Sequence, residues 1–258
     1  MLRALPVLAF LALSLCIAPS SAMCHEFLLK PVQVQVSPNA EVPFSVVSAH
    51  VFMVSEEMEP LDKVSARLFQ GNTVTDVELV ANPTLMTLDG RIQPAGKGTA
   101  ILAGHRRPMI WTKTTRGWKQ GSKKGLAGVV SSGNYEKFCK TLVTVGESDD
   151  GYRRVVGHKL EIVPGSDPSR LEVGDEFEVQ VLLDGKPASP GMVLATYDGF
   201  SDQPNTYAYF TEAYGEGLCK VKITHPGLWM IRVQETADQP TDDYDKHVMR
   251  AVLMFEVR

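Results

Sequence analysis

Hydrophobic and polar positions alternate in short runs along most of the chain. Val32, Val34 and Val36 alternate with Gln33 and Gln35, and Ser37-Pro38-Asn39-Ala40 then turns the chain into Val42 to Phe52. A period of two puts every second side chain on one face of a strand, so these segments predict a hairpin in which Val36 faces Val42. That register sets His25 opposite Met53 and His50 opposite Leu28, with the two histidines offset by three residues, roughly 10 Å along a strand. A bulge or a bent first turn would close the offset. Phe177, Val179, Val181 and Leu183 alternate with Glu178 and Gln180 ahead of Asp184-Gly185-Lys186-Pro187, a turn leading to Met192–Tyr197. Met249, Ala251, Leu253, Phe255 and Val257 share one face of a further strand.

Helix is a minor component. The best candidate is Asn134 to Val143, which Asn134 would cap and in which Glu136, Lys137 and Lys140 would face water, but it is short. Strands every 8 to 12 residues, separated by Gly, Pro and Asp turns, predict an all-β fold of two immunoglobulin-like β-sandwich modules. The polar run Gly146-Glu147-Ser148-Asp149-Asp150-Gly151 sets the boundary. The expected units are an N-terminal β-rich module over 23–150 and a C-terminal sandwich over 151–258.

Ahead of them, residues 1–22 carry Arg3, an apolar run from Leu5 to Ala18 and Pro19-Ser20-Ser21-Ala22, the three parts of a secretory signal peptide. The run is shorter than the roughly 20 residues that span a bilayer, so the mature chain is expected to have no transmembrane segment and to be periplasmic. Cleavage after Ala22 would expose Met23-Cys24-His25, and cleavage after Cys24 would make His25 the first residue. Lipid anchoring through Cys24 is the weaker reading, because Ser21 stands where a Leu is expected.

Composition narrows the partners. With 26 Lys and Arg against 30 Asp and Glu, the formal net charge is −4, which gives no footprint for nucleic acid or an anionic membrane. Trp111 to Lys124 carries five basic and no acidic residues, and in an acidic protein it reads as a solvated loop. Cys139 and Cys219 would pair in an oxidising compartment if geometry allowed, or stay as separate buried thiols. A leftover Cys24 would be reactive or metal-bound.

No Gly-x-Ser-x-Gly, Walker loop, His-Glu-x-x-His or helix-opening Gly-x-Gly-x-x-Gly occurs, so a non-enzyme is expected. The acid pairs Glu56-Glu57 and Asp242-Asp243 sit in polar runs and look like surface charge. Six histidines are the sharper signal, because imidazole is the usual ligand for nickel, copper and zinc. A chain starting at His25 can chelate an ion with its α-amine and imidazole. One starting at Met23 offers an amine, two backbone amides and a third-position imidazole, a square-planar set suited to Ni(II) and Cu(II). His50 is the next candidate, and Met53, Glu56, Glu57 and Met58 just beyond it would either add ligands or merely line the sheet edge. His105 precedes Arg106-Arg107, whose charge disfavours a cation, and His225 and His247 are expected to be structural.

Several segments carry a resemblance: His25-Glu26-Phe27-Leu28-Leu29, Ala49-His50-Val51-Phe52, Gly157-His158 through Glu161 to Pro164, Asp184-Gly185-Lys186-Pro187, Pro226-Gly227-Leu228-Trp229 and Leu253 to Val257. In order and spacing they resemble a bacterial family known as the periplasmic component of cobalt/nickel ABC-type, energy-coupling-factor-like uptake systems. The resemblance runs from His25 to the C-terminus. It implies a two-part β-rich periplasmic protein that captures Ni(II) or Co(II) as cargo and presents it to an inner-membrane permease. His25 matches the family's N-terminal histidine, His50 the histidine of its Gly-His-x-Phe motif, and His158 with Glu161 a further motif. Ala49 replaces the usual glycine, and Met23-Cys24 precede a histidine that commonly follows the signal directly.

The expected metal ligands are therefore His25 and His50, with Cys24 conditional on the cut and His158 secondary, since residues three apart on a strand point to opposite faces. Cu(II) or Zn(II) would also bind such a set in vitro. The competing expectation is a non-catalytic interaction or carbohydrate-binding module of the cell envelope, with Trp111, Trp118 and Trp229 stacking on a ligand.

Overall fold

The computed structural model describes residues 25–258; the segment read as a signal peptide, both expected cleavage positions and Cys24 lie outside the described residues. The described chain is all-β. In chain order its strands are β1 (Glu26–Pro31), β2 (Gln35–Val36), β3 (Val42–Ala49), β4 (Val64–Gln70), β5 (Thr73–Val77) and β6 (Leu79–Asn82). There follow β7 (Thr87–Ile92), β8 (Gly98–Thr114), β9 (Gly117–Gln120), β10 (Val129–Val145), β11 (Leu160–Pro164) and β12 (Glu176–Leu183). The remaining strands are β13 (Lys186–Pro187), β14 (Met192–Tyr197), β15 (Tyr209–Glu212), β16 (Leu218–Lys222), β17 (Gly227–Asp238) and β18 (Lys246–Val257).

A long central sheet runs in the order β15-β14-β17-β18-β10-β8-β4-β5, with β2 added to β10 and β9 to β8. One outer sheet, β1-β3-β7-β6, covers one face, and the other, built from β11, β12, β13 and β16, covers the opposite face. Alternation along the central strands sorts side chains between two cores. Phe138 and Leu142 of β10 enter the core that holds Phe177, Trp229 and Phe255, while Cys139, Val143 and Val145 enter the core that holds Phe27, Phe44 and Leu88. Strands buried on both faces need no polar face, which is why Ala100 to Ala103 and Ala251 to Phe255 are continuously apolar.

Two sandwiches therefore share their middle sheet. The boundary expected near Gly146–Gly151 falls in the connection between β10 and β11, yet β18 pairs in parallel with β10 from Gly133↔Lys246 to Thr141↔Met254. The same register places the segment Asn134 to Val143 in a strand and not in a helix. Its polar residues are not solvated: Lys137 and Lys140 are almost wholly buried, each on a carboxylate.

The hairpin register also differs from the expected one. β1 pairs with β3 as Glu26↔Ala49 through Pro31↔Phe44. Val36 does not face Val42, because β2 leaves the hairpin and pairs in parallel with β10, and Val36 is buried in the core beneath. Asp184 and Gly185 both hold positive φ, the geometry of a tight hairpin turn, but the turn joins β12 only to the short β13. The chain then crosses to the central sheet as β14.

β1 lies close over the central sheet. The Leu29 amide donates to Cys139 Sγ at 3.4 Å, and Thr141 Oγ1 donates to the Leu29 carbonyl at 2.6 Å. At Gly104 a Cβ would stand 2.3 Å from Leu29 Cδ1 and 3.1 Å from Phe27, so only glycine admits the strand at this distance. Gly104→Ala is expected to destabilise the protein by about 1–3 kcal/mol through overpacking, measured by denaturant unfolding.

Cys139 and Cys219 belong to different cores, on opposite faces of the central sheet, and both are free and buried. Burial pushes each thiol up to about 12. Peptide mapping should find both unpaired in protein purified without reductant, and both should alkylate only after denaturation.

Candidate metal centre

Extending the β1–β3 register by one pair beyond Glu26↔Ala49 brings His25 beside His50. Their ring centroids are 3.9 Å apart, with the planes tilted by 42°. After Ala49 the chain leaves the sheet and turns at Val51–Val54, where the Val54 amide donates to the Val51 carbonyl at 3.0 Å and Met53 adopts a left-handed φ of 74°. The chain comes back at once: the Glu56 amide donates to the Ser48 carbonyl at 2.9 Å. That return sets two carboxylates against the imidazoles.

Glu56 is held at both oxygens. Oε1 accepts the His50 amide at 2.9 Å and the Val51 amide at 3.3 Å, and Oε2 lies 2.9 Å from His50 Nδ1 and 3.7 Å from His25 Nε2. Glu57 Oε2 lies 3.0 Å from the other ring nitrogen of His25, Nδ1. Partial burial works against the Glu56 charge, but the His50 ring and the two amides outweigh it and hold the carboxyl below its ordinary range. Glu57 is held low chiefly by its hydrogen bond to His25.

Among the described residues, His25, His50 and Glu56 are the group whose ligand atoms converge, one from each lying within 4.8 Å of the others. The two imidazole side chains are 20% and 19% exposed, so solvent reaches the cluster without flooding it. Glu56 and Glu57, which look like surface charge in the sequence, belong to this centre.

Buried charge fixes the centre from below. Glu26, next to His25, faces Arg232 and Arg250 at 3.2 Å each and accepts the Tyr207 hydroxyl at 3.2 Å. Glu59, at the far end of the loop, accepts Lys137 Nζ at 2.7 Å and the Ser48 hydroxyl at 3.1 Å, with Arg106 Nε at 3.5 Å. Burial opposes the charge on both carboxylates, and the neighbouring cations reverse it, so both stay below their usual range. The His50 carbonyl accepts the Asn205 amide at 2.8 Å, which ties in the loop after β14.

The other candidates lie elsewhere. His158 sits on the opposite side of the central sheet, its ring 5.1 Å from Phe138, and does not join His25 and His50. Burial, with Lys140, His105 and Arg67 nearby, lowers it to about 3 and keeps it neutral. Glu161 does not share an ion with it but accepts Lys140 Nζ at 2.8 Å and the amides of Val156, Gly157 and His158. His105 and His247 flank Glu136 at 2.7 and 3.0 Å without converging on a common point. Arg106 does not repel a cation there, since alternation sends it to the other face, onto Glu59.

Trp229 is fully buried, its Nε1 donating to the His225 carbonyl, so it offers no stacking surface. In the basic stretch, Lys123 and Lys124 reach Asp245 and Asp242.

The architecture and the site define a class, an all-β sandwich protein with a histidine–carboxylate cluster at the head of its first strand. The chain belongs to the family described as "Domain of unknown function (DUF4198)", whose model matches residues 22–237. No curated protein matches it significantly.

Solved structures show only distant likeness. The D0-D1 domain of intimin is 12% identical with a TM-score of 0.24, covering 90% of this chain and 98% of that one. The Escherichia coli adhesin FdeC is 9% identical with a TM-score of 0.25, covering 89% of this chain and 65% of that one. A DUF3823 family protein from Bacteroides uniformis is 10% identical with a TM-score of 0.26, covering 91% and 100%. Likeness of this degree carries no inference about ligand or partner. Among the described residues, no helix is long and apolar enough to cross a membrane.

His158 makes the stability pH-dependent. The unfolded chain takes up a proton at this imidazole below about pH 6.5, while the folded chain resists until about pH 3, so its contribution is lost as the pH falls through that window. The depressed carboxylates Glu26, Glu56, Glu57, Glu59 and Glu136 act only below their ordinary value of 4.5. Between pH 7.5 and 5, wild type should lose on the order of 2 kcal/mol relative to His158→Phe, measured by urea unfolding at each pH.

Proposed function

We propose that the protein binds one divalent transition metal ion at the head of β1, with His25, His50 and Glu56 as ligands. It acts as a periplasmic binding protein and not as a catalyst. The cargo is Ni(II) or Co(II), delivered to an inner-membrane cobalt/nickel uptake permease. The observation that carries the metal reading is the convergence of His25, His50 and Glu56, one ligand atom of each lying within 4.8 Å of the others.

Two imidazole nitrogens and a carboxylate oxygen suit first-row divalent ions, including Cu(II) and Zn(II) in vitro. Donors about 2.1 Å from an ion stand roughly 3–4.2 Å apart, so small side-chain rotations close the set. Three protein ligands at a solvent-reached site leave positions for water, which fits an ion that is handed on. The choice of nickel or cobalt, the permease and the periplasmic setting rest on the sequence resemblance. Cys24 joins as a ligand only where cleavage leaves it in the mature chain.

The second reading is an envelope interaction or carbohydrate-binding module. Its support is the stacked sandwich architecture, although the burial of Trp229 removes one of its three aromatic platforms.

Calorimetry with Ni(II) and Co(II) on the exported, processed protein tests the choice. One ion per chain is expected, with affinity weakened at least tenfold in His25→Ala and in His50→Ala and unchanged in His158→Phe. Affinity should also fall in acid, because metal and protons compete for the imidazoles. Absence of binding at micromolar metal would turn the reading to the interaction module.

A further inference from the structure

His25 has two ring nitrogens, and the fold assigns them different partners. Nδ1 faces Glu57 Oε2 at 3.0 Å, while Nε2 faces the space shared with His50 and Glu56, 3.7 Å from Glu56 Oε2. A neutral imidazole carries one proton, and the nitrogen bonded to a carboxylate is the one that keeps it. The contact with Glu57 therefore makes Nδ1 the donor and leaves the Nε2 lone pair for an ion. Glu56 does not compete for this role, because its Oε2 stands 3.7 Å from His25 Nε2, beyond hydrogen-bond reach.

The consequence reaches the N-terminus. A chelate ring through the α-amine of His25 closes only through Nδ1, which stands on the same side of the ring as the backbone. A third-position histidine behind a free amine binds through the same atom. Either mode of terminal chelation needs the nitrogen that Glu57 holds.

Resting on the metal reading above, we infer that Glu57 is a positioning residue that selects Nε2 of His25 as the ligand, so that the His25–His50–Glu56 site is complete without the α-amino group. Carboxylates that orient a ligating imidazole in this way are typically worth 10- to 100-fold in metal affinity. Glu57 is half exposed, so its replacement spares the fold.

The test compares wild type, Glu57→Ala and Glu57→Gln as full mature chains, each with a free N-terminus and with a short extension that blocks the amine at His25. Imidazole nitrogen NMR of the metal-free proteins, above the pH of histidine titration, reads the tautomer. Ni(II) calorimetry reads affinity. The expected result is His25 in the Nδ1–H form in wild type and Glu57→Gln, whose amide oxygen still accepts, and a shift toward the Nε2–H form in Glu57→Ala.

Ni(II) affinity should fall at least tenfold in Glu57→Ala, stay within about threefold in Glu57→Gln, and be indifferent to the extension. Binding that collapses on extension and ignores Glu57 would overturn the inference in favour of terminal chelation. Equal loss in both Glu57 variants with the tautomer unmoved would make Glu57 a ligand or a simple charge, and would overturn its positioning role. No binding by any form would overturn the metal reading itself, and the tautomer spectrum tells that failure apart from a failed contact with Glu57.

Discussion

The parallel pairing of β10 with β18 is the seam on which the molecule depends. It joins β2, β4, β5, β8 and β9 on one side to β14, β15 and β17 on the other in one sheet, and that sheet is the common wall of both cores. A central strand buried on both faces has no side on which to place polar residues cheaply. β10 nevertheless carries Glu136, Lys137 and Lys140, and each is matched by an opposite charge or an imidazole from another element. Removing one partner of such a buried pair typically costs about 3–5 kcal/mol, because the other is left uncompensated. The pairs thereby specify which outer element sits where: Lys137 fixes the loop ending at Glu59, and Lys140 fixes the start of β11 through Glu161.

The candidate metal centre inherits its geometry from this arrangement. His25 and His50 are neighbours because β1 and β3 pair in one register, and that register is held by β1 lying close over Gly104, Cys139 and Thr141. Glu56 and Glu57 are on a loop, where position is usually loose. Here the loop is pinned at one end by the return of the Glu56 amide to Ser48 and at the other by Glu59 on Lys137. The solvent-reached histidine–carboxylate cluster is thus positioned by buried charges on either side of it.

Much of this was legible in the chain. The all-β class follows from the period-two runs, and the C-terminal alternation from Met249 to Val257 is the strand that fills one core. The register of the first hairpin was not legible, because Phe27, Leu28 and Leu29 are all buried and a continuous apolar run carries no phase. Val32, Val34 and Val36 supplied a phase, but it belongs to β2 and its partner β10. The segment from Asn134 to Val143 resembled a helix because its charged residues were assigned to water; their true partners lie 14 or more positions away and leave no local signal. His25 stood out by its position, whereas the case for His50 used a hairpin register offset by three residues from the one the strands adopt. That Glu56 and Glu57 stand against both imidazoles depends on the loop folding back at Ser48, which leaves no local pattern in the chain.

The seam also governs the order in which the structure can assemble. The residues it joins stand more than a hundred positions apart, and both outer sheets pack on a wall that is incomplete until they meet. Non-local pairings of this kind are slow to form, since the entropy of closing the intervening chain is lost before the contacts repay it. Until β18 arrives, β10 presents an unpaired strand edge and two apolar faces, the features that invite association between chains. Keeping β10 from pairing with another chain until β18 reaches it is thus a demand on the sequence as real as the sandwich itself.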